Sequence, residues 1–353
     1  PYTGCPRRTE LNKQTEQKKE YNMKKTIAVL LGDGAGIGPE QVAKCAVSGF
    51  MTEHCNPIIC GDKRVFDRAL AWVGAPDFHY ELIESFENLE FSGAPLFYDM
   101  KDLDPANFEM GQVSAVTGKA SADQMDLGIG LWQKGIVGSV LFAPFNKASI
   151  KAYKGNDYTS EMTYMRQVLH YDGPGCEINH MQNVFTTRAT SHIPLAEIGK
   201  YLTKDKVKDA IRLLWNTMRA AGYEQPRIAV AALNPHAGEY GTCGREEIDI
   251  IAPAIAEMAE ESIPCVGPIP ADTLFNRAFN LGEFDGIVTM YHDQGQIALK
   301  LLGFEKGVSI EGGLPCPLMT PSHGTAFEIA GTGTATIHAF NTALLDAVAM
   351  ATR

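Results

Sequence analysis

The chain has 353 residues, 45% apolar and 21% charged, with a formal net charge of −11. That length exceeds the size at which a single hydrophobic core keeps growing, so two lobes with a cleft between them are expected. The acidic balance argues against a nucleic-acid partner, because such affinity rests on clustered Lys and Arg; a local cationic pocket can still take a small anion. No stretch approaches the roughly 20 uninterrupted apolar residues of a membrane span, so a soluble protein without a membrane partner is expected.

The first 22 residues are polar and charged and carry no apolar run, which predicts a mobile tail rather than a secretory signal or anchor. Met23-Lys24-Lys25 then leads straight into a first strand, Ile27 to Leu31. Further apolar runs of strand length follow at Ile136 to Phe142, Val184 to Thr187, Ile228 to Leu233 and Ile287 to Met290. Between them lie amphipathic segments: one after Pro39, one from Leu195 to Ala221 opened by Pro194, one from Glu246 to Glu261, and a last from Ile337 to Ala351. This alternation predicts an α/β fold, a two-lobed α/β/α sandwich with a largely parallel sheet covered by helices on both faces. The expected lobes are 23–155 with 301–353, and 156–300. Eight cysteines, at 5, 45, 55, 60, 176, 243, 265 and 316, show no C-x-x-C pair or zinc-finger spacing. They read as reduced, mostly buried thiols of a cytoplasmic protein.

Several loops carry chemistry. Gly32-Asp-Gly-Ala-Gly-Ile-Gly-Pro-Glu40 sits where the first strand meets a helix, with Pro39 suited to the first helical turn. Its glycines allow close backbone approach and its amides suit an anion, although neither the dinucleotide fingerprint nor a P-loop fits. His236, in Asn234-Pro-His-Ala-Gly-Glu239, and His292, in Tyr291-His-Asp-Gln-Gly, each follow an apolar strand. Imidazoles at strand ends suit a divalent metal or proton transfer, with Asp293, Glu239 and Asp272 nearby to bind or orient. Lys300 closes the run Ile297-Ala-Leu, which would bury its stem and present its ammonium to an anion; a solvated surface lysine is the alternative. Gly267-Pro-Ile-Pro-Ala-Asp272-Thr273 reads as a rigid loop that fixes a carboxylate and a hydroxyl, or as a plain structural turn. The segment His323-Gly-Thr-Ala-Phe-Glu-Ile-Ala-Gly331 joins small residues, which let a flat adenine lie close to the backbone, to one imidazole.

Taken together and in this order, these stretches resemble the 4-hydroxythreonine-4-phosphate dehydrogenase family of vitamin B6 biosynthesis, over about 23 to 353. More distantly, the Gly32 to Glu40 and His323 to Ala326 loops are similar to those of isopropylmalate and isocitrate dehydrogenases, which bind NAD or NADP without a classical Rossmann domain. The resemblance implies a homodimer whose active site both subunits line. It also implies NAD, a divalent metal (Mg2+, Mn2+ or Zn2+) and a small hydroxy-acid substrate, whose oxidation gives a β-keto acid that can lose CO2. The first lobe is then the cofactor side and the second carries metal, substrate and dimerisation contacts. Residue by residue, it implies metal ligation by His236 and His292, and acidic site roles for Asp272 and Asp293. Lys300 is implied as a substrate-anion contact, with Asn146 and Lys147 also assigned to substrate. Cofactor contacts fall on Gly32, Asp33, Gly36, His323, Gly324, Thr325 and Ala326.

The sequence also departs from the family. Where the family has Gly-His-Thr-Glu, taken as its first metal histidine, Tyr158-Thr-Ser-Glu161 stands here and puts Thr159 or Ser160 at the ligand position. Asp157 or Glu161 could substitute, giving a harder site that favours Mg2+ or Mn2+ over Zn2+. The family's substrate-binding Asn and Arg match Ser309 and Leu318, so a bidentate anion clamp is lost and specificity is expected to have moved. A branch of the family that oxidises carboxylated cis-dihydrodiols shares such losses. A catalytically silent nucleotide- or metabolite-binding homologue is the alternative of a different class.

Overall fold

A computed structural model describes residues 24–303 and 306–352 of the chain. The tail expected at 1–22 lies outside the described residues. The chain divides into two compact units, one running to Leu169 and resuming at Gly324, the other running from His170 to His323. These crossings fall later in the chain than the approximate boundaries near 155 and 300.

In the first unit, β1 (Thr26–Leu30), β2 (Asn56–Gly61), β3 (Glu81–Ile83), β4 (Leu96–Asp99) and β5 (Ser139–Phe142) form an all-parallel array in the order β3-β4-β2-β1-β5. Central strands of such an array are covered on both faces and therefore read as unbroken apolar runs. Ile27 to Leu30 and Val140 to Phe142 are wholly buried. Helices α1 (Gly38–Val47), α2 (Lys63–Trp72), α3 (Ala115–Gln133), α4 (Lys147–Lys154) and α5 (Glu161–Leu169) belong to the same unit. Pro39 stands in the first turn of α1, where a missing amide costs nothing, and Asn146 caps α4 by accepting from the Ser149 amide at 3.0 Å.

The second unit is mixed. Its strands β6 (Cys176–Met181), β7 (Val184–Arg188), β8 (Ile228–Ala231), β9 (Cys265–Ile269), β10 (Gly286–Thr289), β11 (Val308–Gly312) and β12 (Leu318–Pro321) run in the order β12-β11-β6-β7-β10-β8-β9. The pairs along β7-β10-β8-β9 are parallel, whereas β12-β11, β11-β6 and β6-β7 are antiparallel. The parallel part rests on Val184, Ala229, Ala231, Leu274, Phe284 and Ile287, all buried in one apolar cluster. Helices α6 (Lys204–Ala220), α7 (Ala252–Glu260), α8 (Ala271–Phe279) and α9 (His292–Gly303) complete the unit, and α10 (His338–Met350) closes the first.

Two expected elements differ in detail. The helix expected from Leu195 to Ala221 breaks at Thr203, which caps α6 by accepting from the Lys206 amide at 3.3 Å. The Gly267-Pro-Ile-Pro stretch is not only a loop, since Cys265–Ile269 forms β9 at the edge of its array. An edge is where a strand tolerates proline, because no neighbour needs the missing amide. Among the described residues there is no disulfide: Cys45, Cys55, Cys60 and Cys316 are buried, Cys176 and Cys265 half-buried and Cys243 exposed. Burial pushes the Cys45 thiol up to about 12, so it is an inert core group. No described helix is long and apolar enough to cross a membrane.

Candidate active site

Open parallel sheets place ligands beyond the carboxyl ends of their strands. In the second unit three adjacent parallel strands, β7, β10 and β8, are each followed within a few residues by a histidine: His192, His292 at the start of α9, and His236. The His192 and His292 rings lie 5.5 Å apart, centroid to centroid, and together with Ser191, Tyr291 and Asp293 they line one pocket. Each ring is held from its own loop through Nδ1: His292 by the Asp293 carboxylate at 2.7 Å, His236 by Glu239 at 2.6 Å and His192 by the Ser191 hydroxyl at 3.2 Å. Fixing Nδ1 sets the ring's orientation and leaves Nε2 as the ligating nitrogen, an arrangement typical of metal-binding histidines. The Glu239 hydrogen bond raises the His236 pKa, and the same bond lowers that of Glu239. Among the described residues, no three His, Cys, Asp or Glu side chains are gathered as a ready-made cation cage.

His192 was missed from sequence. The signal was present, because Ser191-His-Ile-Pro follows β7 as the other two histidine loops follow their strands. Thr159, Asp157 and Glu161 stand in the first unit instead. Thr159 lines a groove there with Lys147, Lys151 and Asn156, and Glu161 lies 3.4 Å from the Lys147 ammonium.

The loops that present the histidines are built with care. From His236 to Tyr240 the backbone is left-handed throughout, with φ of 52°, 57°, 80°, 43° and 56°. Only Gly238 accepts that freely; the four other residues cost roughly 1–2 kcal/mol each. Glu247 offsets the strain from below: its carboxylate accepts from the Leu233 and Asn234 amides at 2.8 and 2.7 Å and from the Asn234 side chain at 3.0 Å. Strain held this firmly concentrates at functional positions. Gln294 ties the β10 and β8 loops together, accepting from the Met290 amide and donating to the Ala232 carbonyl, both at 2.7 Å. Asp272 is exposed in the first turn of α8, and its charge contributes to the rise of the His236 pKa.

Lys300 belongs to α9 and is exposed, and Ile297 before it is 61% exposed, so the apolar run does not bury the lysine stem as expected. Lys300 lines a cavity with Glu177, Asn179, Gln296, Ser309 and Ser322. Ser309 and Lys300 line the same cavity. Leu318 does not: it is fully buried in β12 and is not among the residues lining this cavity.

In the first unit the structure brings the glycine loop, Asn146 and the 324–326 loop together. The Ile37 amide donates to the Thr325 carbonyl at 3.0 Å, and the Asn146 side chain donates to the Thr325 hydroxyl at 3.2 Å. Every residue from Leu31 to Glu40 is buried. A Cβ on Gly36 would come within 2.8 Å of Thr325, and one on Gly32 within 2.8 Å of the Ala143 carbonyl oxygen. The glycines therefore serve close packing. Asp33 is fully buried, accepting from the Ala35 amide at 2.9 Å and the Thr117 hydroxyl at 3.3 Å, and burial raises its pKa despite these bonds. Gly324 is exposed, with open space where a Cβ would stand.

A sheet with histidines at the ends of adjacent parallel strands, beside a cavity with a lysine, defines an α/β protein with an enzyme-like site. The model of the pyridoxal phosphate biosynthetic protein PdxA matches residues 53–347. The 4-hydroxythreonine-4-phosphate dehydrogenase of Beijerinckia indica is 38% identical over 320 residues, which is 90% of this chain and 92% of that protein. Among solved structures, 4-hydroxythreonine-4-phosphate dehydrogenase from Klebsiella pneumoniae superimposes with a TM-score of 0.81 at 34% identity, covering 93% of this chain and 99% of that one. A terephthalate 1,2-cis-dihydrodiol dehydrogenase from Burkholderia xenovorans follows at 0.65 and 25%, covering 92% and 98%. The chain belongs to the PdxA family, and its relatives support an oxidoreductase of the dehydrogenase type.

Proposed function

We propose that this protein is an NAD-dependent, divalent-metal-assisted dehydrogenase that oxidises a small hydroxy acid, working as a homodimer whose subunits both contribute to the active site. The observation that carries the proposal is the set of three imidazoles beyond β7, β10 and β8, each with Nδ1 fixed inside its own loop. His192, His236 and His292 would hold the metal, with His192 taking the place first given to Thr159. Neutral imidazole nitrogens on rigid strand ends suit a divalent transition ion. When bound, the cation supplies Lewis acidity at the substrate hydroxyl and the nicotinamide accepts the hydride.

The remaining roles belong to side chains. Asp293 and Glu239 hold the imidazoles in one tautomer, and Gln294 keeps two of their loops in register. Lys300 binds the acid's negative charge at the edge of its cavity. Gly324 offers open space beside the backbone for the adenosine, and Thr325 and Ala326 follow it in the same loop. Gly32, Asp33 and Gly36 support that loop from within, through the Gly36–Thr325 contact.

The test combines metal analysis with NADH formation from hydroxy acids in the presence of Mn2+. Metal uptake that falls in His192→Ala, His236→Ala and His292→Ala alike, with NADH made by the parent protein, is the expected result. A protein that takes up no divalent metal under any condition would refute it.

A further inference from the structure

We infer that Glu247 is a positioning residue for the metal site: through the loop it anchors, it sets where the His236 imidazole stands and hence how tightly the cation binds. The inference rests on the metal-assisted dehydrogenase reading above and adds to it a residue that acts through His236.

The His236 side chain is 68% exposed, so packing does not hold the ring. Its place is set by Glu239 on Nδ1 and by the course of its own backbone. That backbone is left-handed from His236 to Tyr240, a conformation that only Gly238 among the five adopts freely. A strained run of this kind persists only where surrounding groups over-determine it.

Glu247, itself 2% exposed, fixes the run at two places. At the entry, Oε1 accepts from the Leu233 and Asn234 amides at 2.8 and 2.7 Å, and Oε2 accepts from the Asn234 side chain at 3.0 Å. Glu246 also accepts from that side chain, at 2.7 Å, so loss of Glu247 falls chiefly on the two backbone amides. Pro235 alone separates Asn234 from His236, and its ring locks φ, so the anchor is passed on through a stiff link. At the midpoint, Gly238 passes so close that a Cβ there would stand 2.8 Å from Glu247 Oε2. His236 is thus held between two points of contact with one buried carboxylate. An ionised carboxyl suits the task because it accepts without donating, and the groups facing it at the entry are all N–H donors. Glu247 also opens a π-helical turn, Glu247–Ile251, ahead of α7, and such turns are rare but frequent at functional sites.

The test is a double-mutant cycle on Zn2+ affinity, measured on the full protein by competition with a chromophoric chelator. Glu247→Ala is expected to weaken Zn2+ binding about 10- to 100-fold, the effect typical of groups that orient a metal ligand. Glu247→Gln keeps an acceptor for the backbone amides and is expected to recover most of that loss. In a His236→Ala background the same changes should weaken binding further by no more than about twofold, because the ligand through which Glu247 acts is gone. A merely structural residue would disturb the remaining ligands too, and its effect would be as large in one background as in the other. Gly238→Ala, which crowds Glu247 Oε2 from the opposite side, should weaken binding in the same His236-dependent way, and it decides the matter should Glu247→Ala fail to fold. Unchanged affinity in the folded variants, or equal losses with and without His236, would overturn the inference alone. A parent protein that takes up no divalent metal would overturn the dehydrogenase reading, and the inference with it.

Discussion

Glu40 offers a direct test of how the 333–335 connector is held. Its fully buried carboxylate accepts from the Ala335 amide at 2.6 Å and the Gly333 amide at 3.1 Å, and pairs with Lys44 at 2.9 Å. Glu40→Ala leaves two amides of the 333–335 connector without their acceptor. Hydrogen bonds to a charged group contribute about 1.5–3 kcal/mol each, so the two together are worth about 3–6 kcal/mol. Lys44 adds little to the loss, because it keeps the Gly333 and Ala335 carbonyls at 2.8 and 2.6 Å. At about 2–4 °C per kcal/mol, the thermal midpoint should fall by roughly 6–24 °C. Glu40→Gln keeps one acceptor oxygen and should lose about half as much. Circular dichroism melts of the three proteins at neutral pH decide the matter. A drop of less than about 1 kcal/mol in Glu40→Ala, or equal losses in both variants, would show that the carboxylate does not hold the connector.

Other outcomes follow from the same geometry. Asp293→Asn should weaken metal binding about 10- to 100-fold without unfolding the protein, checked by titration with Mn2+. Ala237→Gly, usually a destabilising change, should raise stability by about 1 kcal/mol because φ there is 57°, a gain that urea denaturation would detect. Gln294→Leu removes both ties between the β8 and β10 loops and should lower stability by about 1–3 kcal/mol together with turnover; full activity would argue that the loops hold their register unaided. Asp102 is pushed up to about 6, chiefly by burial and then by the charge of Asp123. Its folded pKa lies above its unfolded one, so the native state loses stability as pH rises from about 4 to about 6, and the penalty is then constant. Two pKa units correspond to about 3 kcal/mol, which partial exposure reduces to about 1–2. Asp102→Asn should therefore stabilise the protein at pH 7.5 but not near pH 4, as paired melts would show.

The sequence alone determined the α/β class and the strands β1, β5, β7, β8 and β10, whereas β2, β3, β4 and β9 of the parallel arrays were not read from it. β1, β5, β8 and β10 are buried on both faces, which forces continuous apolar runs that can be read without a structure. It also singled out His236 and His292, because positions just past such runs are where ligand chemistry sits. β6 and β11 escaped notice for the opposite physical reason. Cys-Glu-Ile-Asn-His-Met and Val-Ser-Ile-Glu-Gly carry Glu177, Asn179 and Ser309 into a cavity, and a strand that builds a polar wall has no apolar pattern to betray it. Only the tertiary structure could join residues far apart in the chain: His192 to His292, Arg188 to Glu177 to Ser309, and Glu40 to the 333–335 connector. It also decided that the glycines from Gly32 to Gly38 serve packing, since whether a small residue admits a ligand or a neighbouring backbone depends on what the fold sets in front of it.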